Sequence, residues 1–385
     1  MVERVYLDWN ATTPLRPEAK AAMEAAWELS GNPSSVHSEG RRARRVVEDA
    51  REAVARAVGA RPQDVVFLSG GTEANALALT PGLRRGSGAR VTRLLVSAVE
   101  HASVLAGGRF PAETIGTIKA TPSGVVDLEH LRSLLNDGPP ALVSVMLANN
   151  ETGAIQPVAE VGEIVHAAGG VVHVDAVQAF GKIAFDLTSL QADLLSLSAH
   201  KIGGPKGIGA LVLGQDTEGL DALLRGGGQE LGRRAGTENV AGISGFGAAT
   251  KAAMADLKAD AARVRRLRDQ LEDGLRQTPG LTVFSDDVKR LHNTILFTAP
   301  GMKAETAVIG FDLAGVAVSS GSACSSGKVQ PSHVLAAMGY RREMTQGAVR
   351  LSLGWSTTET DVDLALKAWR KLANTLVKGE RRNTA

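Results

Sequence analysis

Between about residues 36 and 280 short apolar runs alternate with stretches whose apolar residues recur every three or four positions. The runs 65–67, 93–97, 142–147, 171–175, 194–198 and 210–213 are bounded by polar or turn-forming residues, so they predict strands, and the stretches between them predict helices. That order specifies an α/β fold, a mostly parallel sheet covered on both faces. An alanine-rich helix is predicted from near Pro17, closed by Gly31-Asn32-Pro33. From about Ala248 to Gln277 the residues Met254, Leu257, Ala261, Val264, Leu267, Leu271 and Leu275 form one helical stripe. Arg263, Arg265, Arg266 and Arg268 fall mostly on its solvated side. Beyond Pro279-Gly280 come strand candidates 281–284, 294–298 and 349–353 and a helix from about Ala304, no longer in strict alternation. A smaller α+β layer follows from that pattern. We expect a large domain over 15–255 and a small one built from 1–14 and 256–385, bridged by the long helix.

Composition narrows the class. With 385 residues, 44% hydrophobic and 22% charged, the chain is too long for one ordinary core and reads as a soluble globular protein. A formal net charge of +2 argues against nucleic acid as a partner. The run Arg41-Arg42-Ala43-Arg44-Arg45 is interleaved downstream with Glu48, Asp49 and Glu52 and reads as a mixed, solvated helix face. No run approaches the roughly eighteen apolar residues of a membrane span, and the start lacks a secretion signal, so a cytoplasmic protein is expected. One cysteine, Cys324, allows no intrachain disulfide and suits a reducing compartment.

Candidate chemistry clusters after the strands, where open α/β sheets gather ligands. Lys201 ends a short apolar run, and four glycines and Pro205 follow within the next eight residues, leaving room beside its amine. A surface lysine beside a glycine turn is the alternative. Gly70-Gly71-Thr72 opens a helix, where free N–H groups would bind phosphate, or it is an ordinary tight turn. It lacks the spacing of a dinucleotide or nucleoside-triphosphate loop. Asp175 closes a β-branched strand, either as the cap of the next helix or paired with a positive group. With Lys201 it makes the pattern of a Schiff-base lysine and an acidic partner for a pyridinium nitrogen. His101 follows another strand and would lie against such a ring, unless it is a structural histidine. Cys324 sits among small polar residues, Ser319-Ser-Gly-Ser-Ala-Cys324-Ser-Ser-Gly327, which suggests a thiol able to swing. Arg350 shares the polar face of an alternating strand with Ser352, placed to clasp a carboxylate or simply at an exposed edge. No histidine or cysteine spacing suggests a protein-built zinc site.

Taken in order, Tyr6-Leu-Asp-Trp-Asn-Ala-Thr-Thr-Pro14, Gly31-Asn-Pro-Ser-Ser35, Ser69-Gly-Gly-Thr-Glu-Ala-Asn75, Glu100-His101, Asn149-Asn-Glu-Thr-Gly153, His173-Val-Asp-Ala-Val-Gln178, Ser198-Ala-His-Lys-Ile202, Gly236-Thr237 and Ser319-Ser-Gly-Ser-Ala-Cys324 resemble the cysteine desulfurases. These are class-V aminotransferase relatives of the nitrogen-fixation and iron–sulfur-assembly type, and the match is to their long-loop group. The resemblance implies the fold type I of pyridoxal-phosphate transferases, with a seven-stranded sheet in the large domain. It implies pyridoxal 5'-phosphate as a Schiff base on Lys201, with Asp175 on the ring nitrogen, Gln178 on the ring hydroxyl and His101 stacked on the ring and moving protons. Gly71, Thr72, Ser198 and His200 would hold the phosphate, with Thr237 arriving from the second subunit of a homodimer. Asn150, close to the cofactor, and Arg350 would take the carboxylate of L-cysteine. Cys324 would carry the sulfur as a persulfide to an acceptor or scaffold protein for iron–sulfur clusters, including those of nitrogenase, or for other sulfur-containing cofactors, and could transiently ligate a metal. Rival readings are another lyase or aminotransferase on this fold, a selenocysteine lyase, and a sulfur carrier without turnover. The chain departs from the family pattern at Gly203, Val177 and Leu231, where many relatives carry an aromatic residue, a threonine and an arginine, and the sequence after its last predicted helix does not resemble the tail that housekeeping relatives use to dock their scaffold protein.

Overall fold

The computed structural model describes residues 4–321 and 331–382, the last of these (375–382) as backbone alone. Its centre is a seven-stranded sheet in the order Val65–Leu68, Gly209–Leu213, Leu194–Ser198, Val171–Asp175, Ala141–Met146, Arg93–Ser97, Ile115–Ile118. Only Gly209–Leu213 runs antiparallel to its neighbours. Valine and leucine fill both faces of the inner strands, as a sheet covered on two sides demands. The predicted strands recur within a residue at each end. Ile115–Ile118 was not expected: Gly116 and Thr117 interrupt its apolar run, which an edge strand with one exposed residue tolerates.

A second sheet is antiparallel, in the order Thr282–Val283, Thr294–Thr298, Val349–Ser352, Ser319–Ser320. The amino-terminal strand Val5–Tyr6 pairs in parallel with Val316–Ala317, tying the start of the chain to this layer. Of the four apolar clusters among the described residues, two define the layers. One lies on one face of the large sheet, and the other joins Val349 and Leu351 to Phe297, Phe311 and the fully buried Trp369.

The helix Val240–Arg276 belongs to both clusters. Ile243, Phe246, Ala249 and Ala253 pack on the first, Val264, Leu267, Leu271 and Leu275 on the second. It starts eight residues before the expected point because Ala241, Gly242 and Gly245 let it pack closely; a Cβ at Gly245 would meet Met23 at 2.7 Å. Of its arginines, Arg265 and Arg266 are exposed as expected. Arg263 instead donates to the Thr357 carbonyl at 2.7 Å and Arg268 is half-buried, so the stem of each arginine covers apolar surface. The first helix, Pro17–Trp27, has proline at its first turn and ends earlier than Gly31. In the basic helix Ser38–Ala57 the predicted face is solvated, except that Arg51 is buried in a two-pronged pair with Glu230 at 2.7 and 2.9 Å. Among the described residues no helix is long and apolar enough to cross a membrane.

Candidate active site

The parallel strands of the large sheet all end on one side, and the turns that follow them surround a cavity of about 270 Å³. Gly71, Thr72, His101, Asn150 and Asp175 line it, and so do Gln178, Ser198, His200, Lys201 and Arg350. Ten residues scattered over 280 positions are thus brought together by topology alone. Thr237 is not among them; it is exposed in the loop before Val240–Arg276. Cys324 lies outside the described residues.

Lys201 follows Leu194–Ser198 in a short 3-10 turn. Its amine donates to the backbone carbonyls of Asn10 at 2.5 Å and Ala11 at 2.8 Å. The glycine after Ile202 has a steric cause: φ is +89° at Gly203, and a Cβ there would meet Arg16 at 2.4 Å and Trp355 at 2.6 Å. An aromatic side chain has no place beside that cation and ring pair.

The amino end of Gly71–Ala78 points into the cavity beside Ser198. A Cβ on Gly71 would sit 2.9 Å from Val177 Cγ2, so only glycine leaves this turn open. His200 is pushed down to about 4, chiefly by burial and then by the Lys201, Lys206 and Lys182 charges, so it is a neutral imidazole at neutral pH. It lies 3.1 Å from Thr12 Oγ1.

Asp175 is 6% exposed and accepts hydrogen bonds only from neutral donors, Asn75 Nδ2 at 2.8 Å and the Val177 N–H at 3.0 Å. Among the described residues no cation pairs with it. A carboxylate buried in this way is stable once a positive group of a ligand faces it. Gln178 is held at both ends, its Nε2 on the Asn10 carbonyl at 2.9 Å and its Oε1 taking the Lys182 amine at 2.8 Å. Burial holds the Lys182 ammonium well below the usual lysine range, helped by the Lys201 and Arg350 charges.

Arg350 is 1% exposed rather than at an edge. It donates to Asp8 at 2.8 Å and to the Asn150 carbonyl at 2.9 Å, while its buried Nε has no partner. The guanidinium is therefore fixed in place with N–H groups to spare for an anion. Glu100, which precedes His101 and accepts the Met146 N–H at 2.7 Å, is fully buried, and burial raises its carboxyl well above the usual range. Among the described residues no group of histidine, aspartate and glutamate could hold a metal ion.

Sequence reasoning overlooked Asn10, Asn75, Ser103 and Lys182. Asn10 is the hub, since its carbonyl receives both Lys201 and Gln178 while its side chain reaches Thr294 at 2.9 Å. Its place in the motif with Trp9 and Ala11 was the available signal. A neutral asparagine, a serine and a lysine in a Gly-Lys pair carry no signature of their own.

The donor set suits a flat heterocycle bearing a positive ring nitrogen and a phosphate: one amine, one buried carboxylate with no cation among the described residues, and a glycine-opened helix end with Ser198 and His200 in the same lining. The sequence matches the family described as Aminotransferase class-V over residues 5–365. It is 44% identical over 373 residues to a cysteine desulfurase of Cereibacter sphaeroides, covering 95% of each chain. An IscS-like cysteine desulfurase of Mycobacterium tuberculosis is 40% identical over 372 residues, with 94% of each chain covered. Among solved structures, a NifS-like protein from Rickettsia africae superposes with a TM-score of 0.87 at 34% identity, covering 97% of this chain and all of that one.

Proposed function

We propose, since the chain belongs to the aminotransferase class-V family and is a pyridoxal-phosphate-dependent cysteine desulfurase, that Lys201 and Cys324 divide the removal of sulfur from L-cysteine between them. The observation that carries this assignment is the buried, cation-free Asp175 facing the same cavity as Lys201. Pyridoxal phosphate, when bound, supplies an electron sink for the substrate's α-carbon. Lys201 would hold it through Nζ, Asp175 would face its ring nitrogen, and Gln178, oriented by Lys182 and Asn10, its ring hydroxyl. Gly71, Thr72, Ser198 and His200 would hold its phosphate, and His101 would lie against its ring.

The chain's own groups then act in sequence. Arg350, with Asn150 beside it, receives the substrate carboxylate on the N–H groups that Asp8 and the Asn150 carbonyl leave available. Lys201 takes the α-proton at Nζ. His101 helps to return a proton to the carbon skeleton. The Cys324 thiolate attacks the substrate sulfur: the carbon–sulfur bond breaks, a sulfur–sulfur bond forms, and the carbon keeps the electron pair and gains a proton. The products are L-alanine and a Cys324 persulfide, balanced without an external oxidant or reductant.

Exposed Thr237, with exposed Leu224 and Leu231 in the preceding segment, supports a homodimer in which this loop completes the partner's site. A large domain over 15–255 and a small one from 1–14 and 256–385 are supported by the two apolar clusters that share the long helix. We place the enzyme in the cytoplasm, its sulfur passing to a scaffold for iron–sulfur clusters or another acceptor protein. The deciding experiment mixes protein and L-cysteine and follows alanine, cofactor absorbance and the mass of Cys324. Lys201→Ala should lose the bound cofactor's Schiff-base absorbance and reduce alanine formation by at least about 1,000-fold. Cys324→Ser should keep the absorbance and lose the persulfide. Colourless wild-type protein that makes no alanine would overturn the assignment.

A further inference from the structure

The neighbours of His101 decide which of its ring nitrogens bears the proton. Nδ1 receives the backbone N–H of Ser103 at 3.2 Å and lies 2.8 Å from Ser103 Oγ. A backbone amide only donates, so Nδ1 carries the lone pair. The hydroxyl is oriented from its other side. Asn75 Nδ2 donates to Ser103 Oγ at 2.9 Å and to Asp175 Oδ2 at 2.8 Å. A carboxylate only accepts, which fixes the amide with its nitrogen toward Asp175. Asn75 is 1% exposed, and its buried Oδ1 is left without a partner, so the side chain is held by the nitrogen side alone. Turning it over would set oxygen against the Asp175 carboxylate. With Ser103 Oγ accepting from Asn75, the hydroxyl hydrogen goes to His101 Nδ1.

One carboxylate and one backbone amide therefore set the direction of every hydrogen from Asp175 through Asn75 and Ser103 to His101. We propose that Ser103 and Asn75 are positioning residues that hold His101 with Nδ1 as acceptor, so that the proton it keeps and passes during turnover sits on Nε2. This deepens the desulfurase reading and rests on it for the meaning of turnover. It also couples the group facing the ring nitrogen to the group lying against the ring, since a shift of Asp175 is felt at His101 through two intervening side chains.

His200 lines the same cavity and Glu100 accepts the N–H of Met146 in its wall, and each would perturb a rate profile against pH. The direct readout is the ring-nitrogen spectrum at fixed neutral pH. In ¹⁵N-histidine-labelled protein loaded with pyridoxal phosphate and free of cysteine, the signals of His101 are assigned by their loss in His101→Gln. A protonated Nε2 beside a lone-pair Nδ1 is expected; a protonated Nδ1 overturns the proposal. Ser103→Ala removes one of the two donors into Nδ1. It should move the Nδ1 signal and lower kcat about three- to tenfold with KM for cysteine changed less than about twofold, and Ser103→Thr should restore both. Unmoved ring signals with wild-type kcat in Ser103→Ala would also overturn it. Wild-type protein that shows the expected ring signals but forms no alanine would support the tautomer assignment and sink the desulfurase reading instead.

Discussion

The two ends of the large sheet carry the same kinds of side chain and use them differently. At the carboxyl ends of the parallel strands Asp175, Lys201 and His200, joined by Arg350 from the second sheet, surround about 270 Å³. At the amino ends Asp193, Arg85, His166, Arg61 and Asp64 surround a larger cavity of about 350 Å³. Cavity size does not choose between them. At the amino end the charges are spent on one another: Asp193 accepts His166 at 2.9 Å and the Val172 N–H at 2.8 Å and faces Arg85 at 3.3 Å, and Arg61 grips Asp64 at 2.6 and 3.0 Å. At the carboxyl end Asp175 has only neutral donors among the described residues, and two backbone carbonyls orient the Lys201 amine. The site is marked here by a buried carboxylate that no cation of the described residues pairs with.

Exchanging the two aspartates tests that contrast most strongly. Asp175→Asn keeps the shape but offers no negative charge to the cofactor's ring nitrogen. Alanine formation should fall about 100-fold, the order expected for losing a charge-assisted bond of ~2–3 kcal/mol, and cofactor affinity should fall with it. The melting temperature of cofactor-free protein should not drop. Activity within threefold of wild type would mean that Asp175 merely caps the following turn.

Asp193→Asn should do the reverse. It leaves the guanidinium of Arg85 without its counter-charge and weakens the bond to His166, but Arg85 is roughly half exposed, so the loss is smaller than for a fully buried pair, about 2 kcal/mol of unfolding free energy. Activity per folded molecule should stay unchanged. A fall in kcat at undiminished stability would show that the sheet transmits a function to its amino end.

How far the contrast could be read beforehand follows from what a sequence encodes. Strand runs such as 171–175 and 194–198 are plain because burial on both faces leaves mostly valine and leucine, and because ligands collect where such strands end. Lys201, Asp175 and His101 were therefore marked by position as well as type. Asn75 and Asn10 were not, since each acts by where it holds another group, and that appears only once residues about 30 to 190 positions apart meet; Ser103 and Lys182 hold groups two and four residues away, but a serine and a lysine carry no mark of it. Arg350 shows the same limit. Its alternation with Ser352 gave the face correctly, but only pairing with Thr294–Thr298 and Ser319–Ser320 makes the strand central and the arginine buried.

His173 sits between the two ends and sharpens the comparison from the middle. It is fully buried on the strand that carries Asp175, with Ser144 Oγ 2.8 Å from Nδ1 and Ser196 Oγ 2.9 Å from Nε2. Burial pushes it down to about 4, against a weaker upward pull from Asp175. Its folded value lies below its unfolded value near 6.5, so the unfolded chain binds the extra proton. The stability it contributes is complete above about 6.5 and is lost as pH falls toward 4. From pH 7 to 5.5 that loss is about 1 kcal/mol, measurable as a lower urea midpoint at constant slope. His173→Asn should remove this part of the pH dependence. If the variant keeps the full wild-type dependence, the acid sensitivity comes from the carboxyl end instead, where His200 is also held down to about 4 and would answer to cofactor loading as His173 would not.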